Sequence, residues 1–183
     1  MAYDFSAFKK EARETEEWLR REYGGVNTGR AAPAVLDVVR FEAYGALTQI
    51  SHAAAVTIED PRTLRVSPWD KGQVKDIEKA ILSSNLGLSV SVDDLGLRVA
   101  FPSLTTERRG ALVKMLKEKL EEARVRLRSE REKVWDDIQQ KEREGKMSED
   151  DKFKGKGEIQ KHVDEANKKL EEIFEKKEKE VMG

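Results

Sequence analysis

Cysteine is absent from the 183 residues, which removes disulfide frameworks, thiolate zinc sites and cysteine nucleophiles in one step. Histidine occurs only as His52 and His162, so a histidine-rich metal site is excluded as well. No run of 18 apolar residues exists, and none of the chain reads as a membrane-spanning helix. The opening MAYDFSAFKKEARE lacks a basic-then-apolar signal pattern. The expectation is a cytoplasmic protein without a membrane partner, and the lack of a transit segment favours a bacterial source. Neither a P-loop nor a dinucleotide fingerprint occurs. Lys154-Gly155-Lys156-Gly157 imitates a phosphate loop but lacks the preceding strand and the Ser or Thr, so it reads as a weak or frayed first section of a helix.

Assembled catalytic chemistry is lacking too. Glu59-Asp60, Asp93-Asp94, Asp136-Asp137 and Glu149-Asp150-Asp151 are adjacent acids at turns and helix starts. They read as solvated caps rather than as a carboxylate dyad with separated pKa values. His52 beside an apolar strand and His162 on a charged helix suit surface or packing roles. No nucleophile–base–acid set is present. The expectation is a protein that is not an enzyme, with no catalytic residue, no metal and no cofactor.

Charge is what the chain has in quantity: 35 Lys plus Arg against 36 Asp plus Glu, 39% charged and 38% hydrophobic, for a formal net charge of -1. Such balance argues against a disordered polyelectrolyte and against a globally basic nucleic-acid binder, while leaving room for a local basic face. It suits long solvated helices with narrow apolar stripes. The layout is uneven. Residues 1–30 are neutral, residues 31–104 sum to -2, and residues 105–183 hold 22 basic and 21 acidic groups. Pro33, Pro61 and Pro68 lie in the middle piece, Pro102 closes it, and none follows.

Periodicity assigns the elements. Phe5, Phe8, Ala12, Thr15, Leu19, Glu22 and Val26 step by three and four, a helix whose last turn Gly24-Gly25 should loosen. Thr105 is a plausible N-cap for a second helix, whose face is Val113, Leu116, Leu120, Ala123, Leu127, Val134 and Ile138, running to about Glu144. Gly145 stops it, and Ser148 caps a third with Ile159, Val163, Ala166, Leu170, Ile173 or Phe174, and Val181 on one face. Helices with so narrow a stripe need partners, so an antiparallel three-helix bundle is expected. Between the first and second, Val35–Phe41, Ala53–Glu59, Thr63–Val66, Leu88–Val92 and Leu97–Phe101 read as strands. Val74, Ile77, Ala80 and Ile81 mark a short helix among them.

The fold class is therefore α+β: a long bundle from residues 1–30 plus 105–183, with a small β/α/β domain inserted at 31–104. Hinges are expected near 28–33 and 101–105, at Ala31, Ala32, Pro33, Pro102, Ser103 and Leu104, where each proline restricts the residue before it. The shape this predicts is a rod with a compact domain near one end.

One stretch stands apart from the charge balance. From Glu107 to Lys133 there are 10 basic and 6 acidic residues, with Arg124, Arg128 and Arg131 on one helical face. Planar, permanently charged guanidinium groups suit phosphate backbones. The same pattern also fits a solvated face stitched by Glu121, Glu122, Glu130 and Glu132, and the spacing leaves both open. Arg30 and Arg108-Arg109 would add to the field. Trp18 and Trp135 adjoin apolar stripes and should seal the bundle, whereas Trp69, after Pro68, is the better exposed contact.

Taken in order, Thr28-Gly29-Arg30-Ala31-Ala32-Pro33, Tyr44-Gly45, Val56-Thr57-Ile58-Glu59-Asp60-Pro61-Arg62-Thr63-Leu64, Pro68-Trp69-Asp70, Leu104-Thr105-Thr106-Glu107-Arg108-Arg109, Ala123-Arg124-Val125 and Ser148-Glu149-Asp150-Asp151 carry a likeness. The sequence resembles the bacterial and organellar ribosome recycling factor family nearly end to end. The resemblance implies an L-shaped molecule, a monomer, that disassembles the post-termination ribosome with elongation factor G and GTP, releasing subunits, mRNA and deacylated tRNA for a new round of initiation. It implies a bundle lying along large-subunit rRNA through Arg128 and Arg131, with Arg30 and Arg109 as further basic positions and Arg124 on the same face. It favours RNA contact over the solvated face. Val26-Asn27 stands where the family has Ile-Arg, so one basic contact is absent. A helical adaptor that docks a protein partner without rRNA is the competing reading, and an enzyme built on the middle domain ranks last.

Overall fold

The structure, a computed structural model, describes residues 3–183; the first two residues of the segment 1–30 lie outside the described residues. The chain forms two compact units. One joins the chain up to Tyr23 with Ala111–Gly183, and the other is Gly24–Gly110.

The first unit begins with α1, Ser6–Gly24. Asp4 caps it, accepting from the Ser6 N–H at 2.9 Å. Phe8, Ala12, Thr15, Leu19 and Tyr23 face inward, while Glu22, placed on that face by spacing alone, is exposed. The helix ends at the first of the paired glycines.

The second unit opens with a 3-10 turn, Pro33–Leu36, where a strand was expected from Val35. Proline at the first helical position fits a helical start, since its missing N–H has no partner there anyway. The strands β1 (Arg40–Ala43) and β2 (Ala46–Gln49) then form a separate antiparallel hairpin. A one-turn helix, α2 (Ile50–Ala53), leads into β3 (Ala54–Asp60) and β4 (Thr63–Pro68). After a 3-10 turn at Lys71–Gln73 comes α3, Val74–Ser83, with Ile77 and Ile81 buried. The strands β5 (Ser89–Asp93) and β6 (Gly96–Ala100) complete an antiparallel sheet ordered β3-β4-β6-β5.

Alternation decides which face of that sheet is dry. Leu64, Val66, Leu97 and Val99 point to a core shared with Ile77, Ile81, Val35, Leu36, Phe41, Ile50 and Phe101. Their neighbours in the sequence point the other way, and there Arg65 stands directly opposite Arg98. Like charges in register repel. Glu59 and Asp93 relieve the repulsion: Arg65 pairs with Glu59 at 3.1 Å and with Asp93 at 2.5 Å, and Arg98 pairs with Glu59. Glu59 is thus a counter-ion in a cross-strand network rather than a cap, while Asp93 does both, its other oxygen accepting from the Leu95 N–H at 2.9 Å. Asp60 does cap its turn, accepting from the Arg62 N–H at 2.7 Å.

The chain returns through α4, Thr106–Arg143, capped by Thr105, whose hydroxyl oxygen accepts from the Arg108 N–H at 3.2 Å. Leu116, Leu120, Ala123, Leu127, Val134 and Ile138 are buried along it. Gly145 turns the chain at positive φ. Ser148 then caps α5, Glu149–Met182, by accepting from the Asp151 N–H at 3.1 Å. Every apolar position named for α5 from periodicity is buried. Tyr3 reaches Asp137 and Tyr23 reaches Leu116, so α1 runs antiparallel to α4. Phe5 meets His162 and Glu16 meets Lys169, so α1 runs parallel to α5.

The expectation of fraying at Lys154–Gly157 is corrected by the structure, since α5 is continuous there. The reason is packing: Gly155 is buried, and a Cβ at that position would lie 3.2 Å from Ile138 Cδ1. Glycine lets two helices close, and the burial gained outweighs its poor propensity.

Candidate nucleic-acid interface

The rotation of α4 is fixed by its buried leucines, and that rotation sends Arg124, Arg128 and Arg131 to one flank. Their surroundings differ. Arg124 bonds to Glu121 at 2.7 Å and pairs with Glu171 of α5, so its charge is largely consumed within the bundle. Arg128 is exposed and has no ion pair among the described residues. Arg131 is half-buried and, among the described residues, reaches only Glu132, at 3.9 Å. One turn further, Trp135 lies half-buried beneath Lys156, whose Nζ is 5.6 Å from the ring centroid. The flank can offer two guanidinium forks and an ammonium to oxyanions, with one arginine held back as a structural tie.

The opposite flank of α4 faces α1 and carries cations paired with glutamates. Arg126 stacks over Trp18 at 3.8 Å, and Lys119 approaches the same ring at 5.6 Å. Lys119 is held by Glu22 at 3.4 Å and by Glu122 at 3.2 Å, and Lys133 by Glu130 at 2.5 Å. Nearer the Gly145 turn, Asp137 accepts from Lys141 at 2.7 Å and from the Tyr3 hydroxyl at 2.6 Å. Those two bonds, Lys141's first, hold the Asp137 carboxyl below its ordinary value, while burial, aided by Asp137, pushes the Tyr3 phenol up. Sequence reasoning singled out neither Arg126 nor the Tyr3 anchor. Arg126 lies seven residues from both Lys119 and Lys133, and that heptad spacing was the available signal.

Within the second unit, Arg30 is exposed at the start of the outgoing connection. Arg109, in the first turns of α4, donates its Nε–H to the Leu104 carbonyl at 3.5 Å. The residues named as hinge are partly pinned. Ala31 donates its N–H to the Pro61 carbonyl at 2.9 Å, and Ala31 and Ala32 pack against the small core. Pro33 begins the 3-10 turn; Pro102 and Ser103 are exposed and Leu104 is half-buried. Gly29 adopts φ +79, and a Cβ there would lie 3.5 Å from both Leu104 Cγ and the Pro102 carbonyl oxygen. The outgoing and returning connections therefore run side by side.

Asn27, read from the sequence only as a missing basic contact, is buried and bonded on both sides. Its oxygen accepts from the Gly29 N–H at 2.8 Å, and its amide donates to the Leu86 carbonyl at 3.0 Å. An Asn two residues before a glycine at positive φ is an Asx-turn signature, and that was the overlooked cue. Trp69 is 71% exposed, as expected of a loop contact. Among the described residues no cluster of acids and histidines could hold a metal ion, and no helix is long and apolar enough to cross a membrane.

Comparison with known proteins adds to this geometry. The family model for ribosome recycling factor matches residues 19–182. The ribosome-recycling factor of Solidesulfovibrio magneticus is 42% identical over 164 residues, covering 90% of this chain and 89% of its own. That of Clostridioides difficile is 39% identical over 168 residues, covering 92% and 91%. A solution structure of the ribosome recycling factor superimposes with a TM-score of 0.75 at 33% identity, covering 100% of this chain and 99% of that one. A second match has a TM-score of 0.68 at 38% identity, covering 98% and 97%. It belongs to models for the T. thermophilus ribosome recycling factor and the E. coli elongation factor G bound to the E. coli post-termination complex.

Proposed function

We propose that this chain, which belongs to the ribosome recycling factor family, disassembles the post-termination ribosome together with elongation factor G and GTP. Subunits, mRNA and deacylated tRNA are released for a new round of initiation. The protein is a translation factor and not an enzyme; the GTP hydrolysis it depends on is that of elongation factor G. The observation that carries the reading is a family match over nearly the whole chain, joined to an α4 flank that leaves Arg128 and Arg131 open to oxyanions.

The residues divide the work as follows. Arg128 and Arg131 anchor the bundle to large-subunit rRNA by charge-assisted bonds to phosphate. Arg124 ties α4 to α5 through Glu171. Arg30 and Arg109 add basic charge beside the connections. Ala31, Ala32, Pro33, Pro102, Ser103 and Leu104 form the segment through which a push on the small domain is transmitted, while the anchored bundle resists. The protein acts as a monomer in the cytoplasm, where bacterial ribosomes are.

The test is subunit splitting of post-termination ribosomes, followed by light scattering, with and without elongation factor G and GTP. Splitting that needs all three components is expected, and none above the factor-free control would return the adaptor reading. In the same preparation, Arg128→Ala and Arg131→Ala should each weaken binding and flatten its salt dependence by about one phosphate contact, a slope change of roughly 0.7–0.9. Unchanged affinity and slope in both variants would remove the rRNA face from this flank.

A further inference from the structure

We infer that Arg126, stacked on Trp18, is a second RNA-phosphate contact, so that the bundle engages rRNA along both flanks of α4. The inference rests on the recycling-factor reading and extends it to a surface that reading does not use.

Three observations lead there. The Arg126 guanidinium sits 3.8 Å from the centroid of the Trp18 ring, which is contact distance. Stacking of this kind uses the face of the guanidinium and leaves its N–H edge free, the edge that binds a phosphate bidentately. Second, the nearby acids are already committed to other cations: Glu22 and Glu122 to Lys119, and Glu130 to Lys133. No ion pair or hydrogen bond of the Arg126 side chain is found among the described residues, where a surface ion-pair lattice would give it one. Third, Trp18 holds the side chain in place before any ligand arrives, so part of the ordering cost of a long flexible chain is removed in advance. A merely structural cation–π pair at an exposed site contributes ~0.5–1 kcal/mol and does not need the fork to stay open. Lys119 and Lys133, at heptad spacing on either side and roughly 10 Å away along the axis, are held by their glutamates, so Arg126 is the cation of this flank without an ion pair among the described residues.

The experiment compares the full-length protein with Arg126→Gln, Arg126→Lys and Trp18→Phe in ribosome binding over a series of salt concentrations. Arg126→Gln keeps a planar polar end, two atoms nearer the backbone, and removes the charge. Expected is an about three- to tenfold loss of affinity with a slope shallower by roughly 0.7–0.9. Arg126→Lys should keep the slope and lose part of the affinity, because the charge stays and the fork goes. Trp18→Phe should keep the slope too, since a ring remains. Melting temperatures separate the alternatives: if Arg126→Gln lowers the melting temperature while affinity and slope stay at wild-type values, Arg126 is only a lid on Trp18 and the inference is overturned. Absence of splitting by the wild-type protein would instead undo the recycling reading, a failure this salt series does not imitate.

Discussion

Burial of the Tyr23 phenol is made tolerable by a single bond, its hydroxyl donating to the Leu116 carbonyl at 2.7 Å. Burial, and next the nearby Glu171, pushes its pKa above the ordinary 10.0. The folded state therefore holds this proton more tightly than the unfolded chain. Its contribution is fully present below pH 10 and is lost as pH rises further. Tyr23→Phe should cost about 1 kcal/mol near neutral pH, the usual net value of such a bond. It should also flatten the decline of stability above pH 10. Chemical denaturation at a series of pH values checks both, and a variant curve parallel to wild type in alkali would show that the decline arises elsewhere, with Tyr3 the next group to examine. Asp137 works in the opposite sense: its lowered pKa gives stability that is present above 3.8, the ordinary value, and disappears as pH falls. At this scale the sequence spoke unevenly. The i+3/i+4 steps named Phe8, Leu19 and Leu127 and passed over Tyr23, four residues after Leu19, for Glu22; what no local pattern could give is that Tyr23 bonds to Leu116 and the Asn27 amide to Leu86, both distant in the chain.

Glycines separate propensity from packing in the elements. Gly157 in α5 has nothing within 4 Å of where a Cβ would be, so Gly157→Ala should stabilise the protein by ~0.5–1 kcal/mol from helix propensity and lost unfolded-state entropy. Gly155→Ala should gain less or lose, because Ile138 Cδ1 must move. Gly96, at φ +133, would place a Cβ 2.3 Å from the Val66 carbonyl oxygen. Gly96→Ala should therefore be the most damaging of the three, by more than ~2 kcal/mol. Thermal melts of the three single variants give the order directly. Long amphipathic helices were legible in the sequence because one face buries a repeating set of residues over many turns. The β1–β2 hairpin was not: Tyr44 and Gly45 form its turn at positive φ, and β2 has no buried residue to reveal a period. Similarly, Lys154–Gly157 looked weak because propensity is local, whereas its support comes from α4.

For the whole molecule, the proposed recycling role asks the two connections to transmit a push while Arg128 and Arg131 hold the bundle. Ala31 and Ala32 are packed on the small core, so added length tests the link best just before them. A Gly-Ser insertion between Arg30 and Ala31 should slow elongation factor G-dependent splitting severalfold while ribosome affinity stays close to wild type. Parallel loss of both would mean that this segment serves binding and does not transmit force. The candidate site was only half legible. Residue type and helical spacing grouped Arg124, Arg128 and Arg131, but the division of roles depends on Glu171 and Trp18, which belong to other helices.

The interrupted bundle also sets an order of events during synthesis. Everything from Gly24 to Gly110 is contiguous, so that unit can fold as soon as it clears the ribosome. The first helix cannot. Tyr23 waits for a partner 93 residues later and Tyr3 for one 134 residues later. At 5–20 residues per second, the longer wait is roughly 7–27 s. Through that interval Phe8 and Leu19 have no bundle to enter, and a nascent chain of this protein carries an unsheltered apolar stripe that chaperones can read.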